Sequence, residues 1–324
     1  MQPGIKKSVV RLIRPFVFKL LASTGITNKV FSIQAELSQT QAELQENLRY
    51  IFLKSLRNKK NSVDIIPPFA SEEQLKVVID RGAGILAFPK HDTVMSEFIK
   101  KYGAWEPSEQ NWIAKNVKED QLVLNIGANI GVHAIVASKF VGTKGEVIAF
   151  ECHPEIARLL ALNLCANGIE NVTISRKAVA DFNGQGVLFC SEDNAGDNRL
   201  IHSEELGDLH FEVDVVRLET YLEDLNAEPH IIIMDIQGFE LAAIRGLGNK
   251  LAKGGKILFE FTPRWLDLNL DVAKGQLDEI LESGYKLFNL GEFGAEIPMT
   301  VNELMEKFTA NKDLLYLNLV LCKA

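Results

Sequence analysis

A glycine-containing turn and a single glutamate are the residues best suited to bind a nucleotide-like cofactor. The turn at 125–131 follows an apolar strand pattern and precedes a helical pattern. Gly127 would let the backbone turn sharply at the end of a buried strand, and Gly131 would let helix and ligand approach closely. Glu151, twenty residues after Gly131, ends a second strand pattern, where a carboxylate accepts hydrogen bonds from ribose hydroxyls. These residues predict a nucleotide-sized crevice; the alternative is a structural turn beside a solvated glutamate.

Asn129 discriminates between the cofactors that such a crevice could hold. Dinucleotide-binding turns carry glycines in the pattern G-x-G-x-x-G, so that the pyrophosphate can sit on the helix N-terminus. Asn129 occupies the second glycine position, and its side chain would obstruct a pyrophosphate while offering an amide to a smaller polar group. S-adenosylmethionine has no phosphate and carries an amino acid in that place. We therefore expect S-adenosylmethionine as the cofactor.

The elements that must position these residues alternate between strand and helix patterns. Buried-strand patterns lie at 121–126, 146–150, 171–175, 213–218, 230–234, 256–261 and 315–321. Helical patterns lie at 129–140, 154–167, 239–252 and 274–283, preceded by others at 72–80, 93–102 and 107–117. This alternation predicts a doubly wound α/β sheet with helices on both faces.

The composition is that of a folded protein with an acidic body. Of the 324 residues, 47% are hydrophobic and 24% are charged, which is too apolar for a disordered chain. The net charge of −8 argues against a nucleic-acid partner. Four widely separated cysteines lack metal-ligand spacing, so we expect no metal site and a cytoplasmic location. No apolar run approaches the roughly 18–20 residues that a membrane-spanning helix needs.

Residues 1–60 differ from the body in charge and are predicted to form a basic helical extension. They hold eleven Lys and Arg against three Glu, a local charge of +8. Within them, 5–21 interleaves apolar and basic residues at helical spacing, and 30–57 has a second helical pattern. We expect homo-oligomerisation or peripheral contact of 5–21 with the cytoplasmic face of a membrane; a helix packed on the body is the alternative. The body then spans 71–324.

The motifs resemble, in order, those of the FkbM-type S-adenosylmethionine-dependent methyltransferases over 103–261, about half the chain. The matching segments are 105–109 (WEPSE), 125–131 (NIGANIG), 149–154 (AFECHP), Asn163, Asn167, 178–184 (AVADFNG), 233–240 (IMDIQGFE) and 258–260 (LFE). The resemblance implies a Rossmann-like class I methyltransferase sheet and S-adenosylmethionine as cofactor. It adds Glu109, Asn125 and Val179 to the expected cofactor-binding residues.

Asp235 is the first candidate for the catalytic step, and Glu240 is the second. Methyl transfer needs the acceptor oxygen, the methyl carbon and the sulfur aligned at about 3–3.5 Å. A hydroxyl is a poor nucleophile, and a carboxylate within hydrogen-bond reach can take its proton. Asp235 follows the 230–234 strand pattern, at the expected edge of the crevice. The structural alternatives are that Asp235 caps the next helix and that Glu240 is a first-turn carboxylate favoured by the helix dipole.

Two functions are consistent with these residues. The first is O-methylation of a hydroxyl on a glycan, glycolipid or other small hydroxylated acceptor. The second is a non-catalytic interaction protein with a methyltransferase fold, assembled through its N-terminal helices. Asn125, Gln237 and Met234 depart from the Asp, Glu and Lys common in the family, and loss of acidic groups at the first two would weaken an enzyme. The retained Asp235 and Glu240 favour activity.

Overall fold

The computed structural model of the chain describes residues 75–90, 92–190, 198–200, 210–263 and 270–324. The predictions for the basic extension at 1–60 and for the start of the body at 71–74 lie outside the described residues. Among the residues that are described, no helix combines the length and the apolar character needed to cross a membrane.

Strands and helices alternate along the described residues. The strands are β1 (Leu75–Asp80), β2 (Gly84–Pro89), β3 (Leu122–Ile126), β4 (Glu146–Phe150), β5 (Val172–Ser175), β6 (Ala178–Ala180), β7 (Gly184–Phe189), β8 (His210–Arg217), β9 (Ile231–Met234), β10 (Lys256–Phe261), β11 (Tyr285–Leu290), β12 (Glu296–Pro298) and β13 (Leu317–Lys323). The helices are α1 (Met95–Tyr102), α2 (Pro107–Asn116), α3 (Val132–Val141), α4 (Pro154–Ala166), α5 (Leu218–Leu225), α6 (Glu240–Leu247), α7 (Leu270–Glu282) and α8 (Val301–Ala310).

The central sheet has eight strands in the order β12-β11-β13-β10-β9-β3-β4-β5. The neighbours from β5 through β4, β3 and β9 to β10 are parallel, and β13 runs antiparallel between β10 and β11. The strand order reverses at β3, because β4 and β5 lie on one side of it and β9 and β10 on the other. Right-handed crossovers then place the connecting helices on opposite faces. The sheet is therefore doubly wound, and ligands of such sheets bind at the strand ends beside the reversal.

A buried cluster of the described residues joins one face of the central sheet to α5, α6, α7 and α8. Leu124, Ile232 and Phe259 belong to it from the sheet, and Leu247 and Phe308 belong to it from the helices. These side chains are at most 1% exposed. The core therefore holds the neighbouring strands β3, β9 and β10 in a fixed relation, and the ends of those strands carry the candidate site.

Most of the predicted elements are confirmed, with shifted ends. Helix α3 begins at Val132 rather than near 129, because the preceding turn has φ values of +76° at Gly127, +50° at Asn129 and +99° at Gly131. The strand predicted at 213–218 belongs to a separate three-stranded sheet in the order β6-β8-β7 rather than to the central sheet. That small sheet forms one wall of the candidate site.

The helix predicted at 72–80 is wrong in its described part. Leu75–Asp80 is strand β1, which pairs antiparallel with β2. The run of β-branched residues at 77–79 favours a strand over a helix. The hairpin turn is held by Asp80, whose Oδ1 accepts a hydrogen bond from the backbone N–H of Gly82 at 2.8 Å.

Two asparagines, one on α4 and one at its C-terminal cap, bind the backbone of β2 much as a neighbouring strand would. Asn163 Oδ1 accepts a hydrogen bond from Ala87 N (2.8 Å), and its Nδ2 donates to Ala87 O (3.2 Å). One turn later, Asn167 Oδ1 accepts from Ile85 N (3.0 Å) and its Nδ2 donates to Ile85 O (2.7 Å). Asn163 Nδ2 also donates to Ile130 O (2.9 Å), in the turn after β3. These bonds satisfy backbone groups of β2 and fix the hairpin to that turn.

Candidate active site

A cavity of about 620 Å³ opens at the carboxyl ends of β3, β4 and β9, where the strand order reverses. This first cavity is lined by Gly127, Asn129, Glu151, Val179 and Asp235, among others. Four of the residues predicted to bind the cofactor therefore share one cavity with the first candidate for catalysis. Its position suits a nucleoside-like ligand.

Glu151 lies at the end of β4 with its carboxylate held by two backbone amides. Its Oε2 accepts a hydrogen bond from Asn129 N, and its Oε1 accepts one from His153 N, both at 2.8 Å. Burial raises the pKa of Glu151 to about 7. Each carboxylate oxygen has two acceptor positions, so one remains on each oxygen for a ligand in the first cavity. A vicinal diol would fill both.

The turn after β3 is locked against its neighbours by backbone contacts. The amides of Gly127 and Ala128 donate to Phe150 O at 3.0 and 2.8 Å. A Cβ added at Gly127 would lie 1.8 Å from the carbonyl oxygen of Asp235. Glycine is therefore required at 127 both by its positive φ and by the close approach of the next loop.

Gly131 has a different role from the one predicted for it. It does not line the first cavity, and a Cβ added there would lie 2.4 Å from Leu160 Cδ1. Gly131 thus allows the turn to pack closely against α4, and the closely approaching group is a leucine of the core rather than a ligand.

A second cavity of about 1100 Å³ adjoins the first and shares Gly127, Asn129, Asp235 and Gln237 with it. The rest of its wall combines aliphatic side chains and His133 with aromatic and acidic ones: Phe98, Trp105, Tyr316, Glu106 and Glu260. A deep extension of about 310 Å³ continues inward. It shares Asp235, Glu106, Glu260 and His133 with the second cavity and adds Glu109, Asn125 and Asn318. The three spaces form one acid-lined region around Asp235.

Asp235 follows β9 directly and lines the first cavity, the second cavity and the deep extension. Gln237 Nε2 donates a hydrogen bond to Asp235 Oδ1 at 2.5 Å. Gln237 itself has a φ of +53°, a backbone conformation that is uncommon for a residue with a side chain. The loop is thus shaped to bring the Gln237 amide onto the Asp235 carboxylate.

Glu240 is turned away from the cavities and into the loop that carries Asp235. Its carboxylate accepts hydrogen bonds from Ile236 N (2.8 Å) and Gly238 N (2.9 Å). Burial, followed by the charge of Asp235, raises the pKa of Glu240 to about 8. Glu240 is also the first residue of α6. The geometry therefore makes it a residue that positions the 236–238 loop.

Three further carboxyl groups lie close enough to Asp235 to influence one another. Burial, followed by the charge of Asp235, raises the pKa of Glu260 to about 10. Burial and then the charge of Glu109 raise the pKa of Glu106 well above its usual range. Burial also raises the pKa of Glu109, whose Oε1 accepts a hydrogen bond from Asn318 Nδ2. Glu109, predicted to bind the cofactor, therefore lies in the deep extension rather than in the first cavity.

Sequence analysis missed His133, which lines both the second cavity and the deep extension. Its Nε2 lies 3.3 Å from Glu106 Oε2 without hydrogen-bond geometry. Burial lowers the pKa of His133 to about 4, so the ring is neutral at neutral pH. The position of His133 in the sequence could have indicated this location. It lies in the first turn of α3, directly after the glycine-containing turn, where side chains reach toward the strand ends.

Three amide oxygens around the cavities have no hydrogen-bond partner within the described part of the chain: Asn125 Oδ1, Asn129 Oδ1 and Gln237 Oε1. Asn125 also lies in the deep extension, where its Nδ2 donates to Ile233 O at 3.4 Å. Buried polar atoms are normally paired, so a ligand with hydrogen-bond donors fits here. S-adenosylmethionine offers an ammonium group and a ribose diol. Glu151 is suited to the diol, Asn129 and Gln237 are suited to the ammonium, and Val179 provides apolar wall.

Among the residues that the structure describes, no group of three or more His, Cys, Asp or Glu has an arrangement that would hold a metal ion.

Two proteins of Archaeoglobus fulgidus match a short part of the chain. Protein-L-isoaspartate O-methyltransferase 1 is 41% identical and Protein-L-isoaspartate O-methyltransferase 2 is 37% identical, each over 59 residues. Those residues are 18% of this chain and 27% of each relative. The chain thus spans about a quarter of the length of the curated relatives it matches.

Solved structures of methyltransferases also align with the chain. A putative rRNA methylase from Clostridium thermocellum has a TM-score of 0.41 and 10% identity, covering 66% of this chain and 93% of its own. An S-adenosylmethionine-dependent O-methyltransferase from Thermotoga maritima has a TM-score of 0.38 and 15% identity, covering 76% and 77%. A putative methyltransferase from Streptococcus mutans in complex with S-adenosylhomocysteine has a TM-score of 0.40 and 10% identity, covering 68% and 99%.

The family comparison covers the candidate site itself. The model of the methyltransferase FkbM domain matches residues 125–287, which is half of the chain. The matched region begins in β3 and includes Glu151, Asp235 and Glu260. The chain belongs to the FkbM methyltransferase family.

Proposed function

We propose that this chain is an S-adenosylmethionine-dependent methyltransferase that acts on a hydroxyl oxygen of a small acceptor such as a glycan or glycolipid. The observation that carries the proposal is the position of Asp235, which lines the first cavity, the second cavity and the deep extension. A methyl donor in the first cavity and an acceptor in the second would both lie beside this carboxylate. Catalysis would then consist mainly of alignment, with one positioned proton acceptor.

The chain's own residues supply positioning and proton transfer. S-adenosylmethionine contributes a methyl group that is already activated by the sulfonium. Asp235 accepts the proton of the acceptor hydroxyl as its oxygen attacks, and the 2.5 Å hydrogen bond from Gln237 fixes the orientation of that carboxylate. Glu240 holds the loop amides of Ile236 and Gly238. Of the two predicted catalytic residues, Asp235 is thus proposed as the base and Glu240 as its positioning residue.

The charge of the second cavity supports a small acceptor rather than a nucleic acid. Glu106, Asp235 and Glu260 line it, and neither it nor the deep extension is lined by a described Lys or Arg. The described part of such a wall offers phosphate groups no basic side chain, whereas nucleic-acid enzymes neutralise phosphates with basic side chains. The overall charge of −8 points the same way.

The decisive experiment has two stages. Calorimetry first measures S-adenosylmethionine binding by the full chain, because a non-catalytic interaction protein would show none. S-adenosylmethionine with a labelled methyl group is then incubated with glycan and lipid extracts of the source organism, and the labelled bond is identified. Label in a methyl ether, lost in Asp235→Asn, supports the proposal. Label in an N-methyl group or a methyl ester would contradict the proposal, because the methyl group would then have been transferred to a nitrogen or to a carboxylate rather than to a hydroxyl.

A further inference from the structure

The second cavity divides into a polar part that it shares with its neighbours and an apolar part of its own. Every polar side chain described in its wall also lines the first cavity or the deep extension. Eight described residues line the second cavity alone, and all of them are apolar or aromatic. Five of these are Val94, Met95, Phe98, Trp105 and Tyr316. The wall is therefore polar where it meets the neighbouring spaces and apolar elsewhere.

The apolar part of the wall continues along one face of α1. Val94, Phe98 and Tyr102, which we call the α1 stripe, are four residues apart and so lie on the same face of the helix. Val94 is 44% exposed, Tyr102 is 49% exposed and Phe98 is half-buried. The Phe98 ring centroid lies 4.5 Å from that of Tyr102 and 5.2 Å from that of Trp105. The α1 stripe therefore extends from two residues of the cavity wall to Tyr102 beyond it.

The exposure of these side chains indicates what covers them. Tyr316 also lines the second cavity, and it is 45% exposed. Single apolar residues are common on protein surfaces, but adjoining ones beside a cavity mark a ligand-binding site. Because Val94, Phe98 and Tyr316 belong to the wall of the second cavity itself, the ligand of that cavity is the molecule that can cover them. A ligand that is polar throughout would lose hydration against this wall without gaining hydrogen bonds.

We infer that the second cavity binds an amphipathic methyl acceptor, in which a polar head carries the hydroxyl and a hydrocarbon tail is attached to it. The inference rests on the proposed O-methylation and names its substrate class, since it selects a glycolipid over a free glycan. The head lies at the polar end of the cavity, where Asp235 also lines the first cavity. The tail lies against the α1 stripe and Tyr316.

The test measures how tail length changes binding by the full chain. Calorimetry with S-adenosylhomocysteine present compares methyl, hexyl and octyl β-D-glucoside, each below the concentration at which it forms micelles. The three probes have the same head, so they differ only in the length of the tail. Burial of one methylene tightens binding about fourfold. We therefore expect the hexyl glycoside to bind at least about tenfold tighter than the methyl glycoside.

Matched variants show where the tail lies. Val94→Ser should reduce the preference for the hexyl over the methyl glycoside by about threefold or more, because less apolar surface then covers the tail. Val272→Ser is the control, since Val272 on α7 is 48% exposed and lines none of the three spaces. It should keep the full preference. Tyr316→Ser tests a second position independently and should act as Val94→Ser does. Neither variant should change the affinity for S-adenosylhomocysteine, and this readout separates a lost tail contact from a damaged fold.

The outcomes separate this inference from the function on which it rests. Equal affinities for the three glycosides, or no binding by any of them, would overturn the amphipathic acceptor, while labelled methyl transfer to a free glycan would leave O-methylation standing. A tail preference that survives both Val94→Ser and Tyr316→Ser would show that the tail binds elsewhere, and it would also overturn the inference. Failure of S-adenosylhomocysteine to bind would instead contradict the proposed function, whatever the glycosides do.

Discussion

Gly127 and Asp235 are in contact through their backbones: a Cβ added at Gly127 would lie 1.8 Å from the Asp235 carbonyl oxygen. On the strands behind them, Asp235 N donates to Ile126 O at 3.0 Å. The turn expected to hold the cofactor and the loop carrying the proposed base therefore form one unit. A displacement of either backbone should disturb both binding and turnover.

Gly127→Ala should abolish S-adenosylmethionine binding and destabilise the fold, since the new methyl group collides with backbone that cannot rotate away. The matched control is Gly168→Ala, which has a similar φ of +69° but nothing within 4 Å of the added Cβ. The control should lose only about 1 kcal/mol, the cost of a side chain at positive φ. Urea unfolding and calorimetry of both variants measure the difference. Equal effects would show that the contact with Asp235 does not matter.

Asp235→Asn should lower turnover about a hundredfold or more, the usual scale for loss of a general base. Size is nearly preserved, so S-adenosylmethionine affinity should change much less than the rate. Single-turnover kinetics and calorimetry on the same preparation separate the two effects. Affinity falling in proportion to the rate would reassign Asp235 to cofactor binding.

Glu151→Ala should weaken S-adenosylmethionine binding by about 1.5–3 kcal/mol, the range for hydrogen bonds to a charged group. The variant removes the acceptors of Asn129 N and His153 N as well as those expected to face the ribose. Glu155→Ala, at an exposed position at the start of α4, is the control and should bind normally. If a folded Glu151→Ala protein binds S-adenosylmethionine with unchanged affinity, Glu151 does not hold the ribose.

The free protein should lose stability as pH rises above the ordinary glutamate pKa of 4.5. Burial raises the pKa to about 7 for Glu151, about 8 for Glu240 and about 10 for Glu260. The folded state therefore binds more protons than the unfolded state between 4.5 and these values, and the stabilisation is lost as pH rises through them. Urea midpoints at about pH 5.5 and about pH 8.5 measure the loss.

Glu260→Gln should make that pH dependence shallower, because the amide cannot ionise. Glu306→Gln, a change at an exposed position on α8, should leave it unchanged. Stability that rises with pH over the same interval would show that these carboxyl groups are charged in the folded protein.

Deletion of residues 1–60 should leave the unfolding transition and cofactor binding of the body intact, because the body has its own α/β core. Their local charge of +8 predicts oligomerisation or attachment to anionic membranes, with each basic side chain contributing about 1 kcal/mol at low salt. Sedimentation with and without anionic liposomes measures both. If the body unfolds after the deletion, residues 1–60 contribute to its core and the prediction is wrong.

The sequence could indicate which residues share the first cavity because its signals there are local. Gly127, Asn129 and Glu151 each follow a strand pattern within a few residues, and parallel strand ends meet at one edge of a sheet. Asp235 was predicted for the same reason. Gly131 and Glu240 were assigned to ligand chemistry because spacing does not show which way a residue faces. In the structure, Gly131 faces Leu160, and the Glu240 side chain faces the 236–238 loop.

The second cavity and the deep extension could not be predicted because their residues come together only through tertiary contacts. His133, Glu106 and Glu260 belong to separate segments, and no spacing rule relates them. Glu109 and Asn318 are joined by a hydrogen bond across 209 residues of chain. The hairpin of β1 and β2 was missed because the periodicity of so short an apolar run does not distinguish helix from strand, and the β-branched residues at 77–79, which favour a strand, were not weighed.

The place of β13 in the central sheet has a consequence for biosynthesis. It lies between β10 and β11 but is translated after both of them. Until β13 inserts, each of those strands presents an edge of unpaired backbone groups that can recruit another chain. The turn after β3 and Glu151 belong to strands that can pair earlier, whereas Asn318 and the preceding Tyr316 arrive with β13. During translation, the cofactor half of the cleft should therefore mature before the acceptor half, and chaperone demand should peak between them.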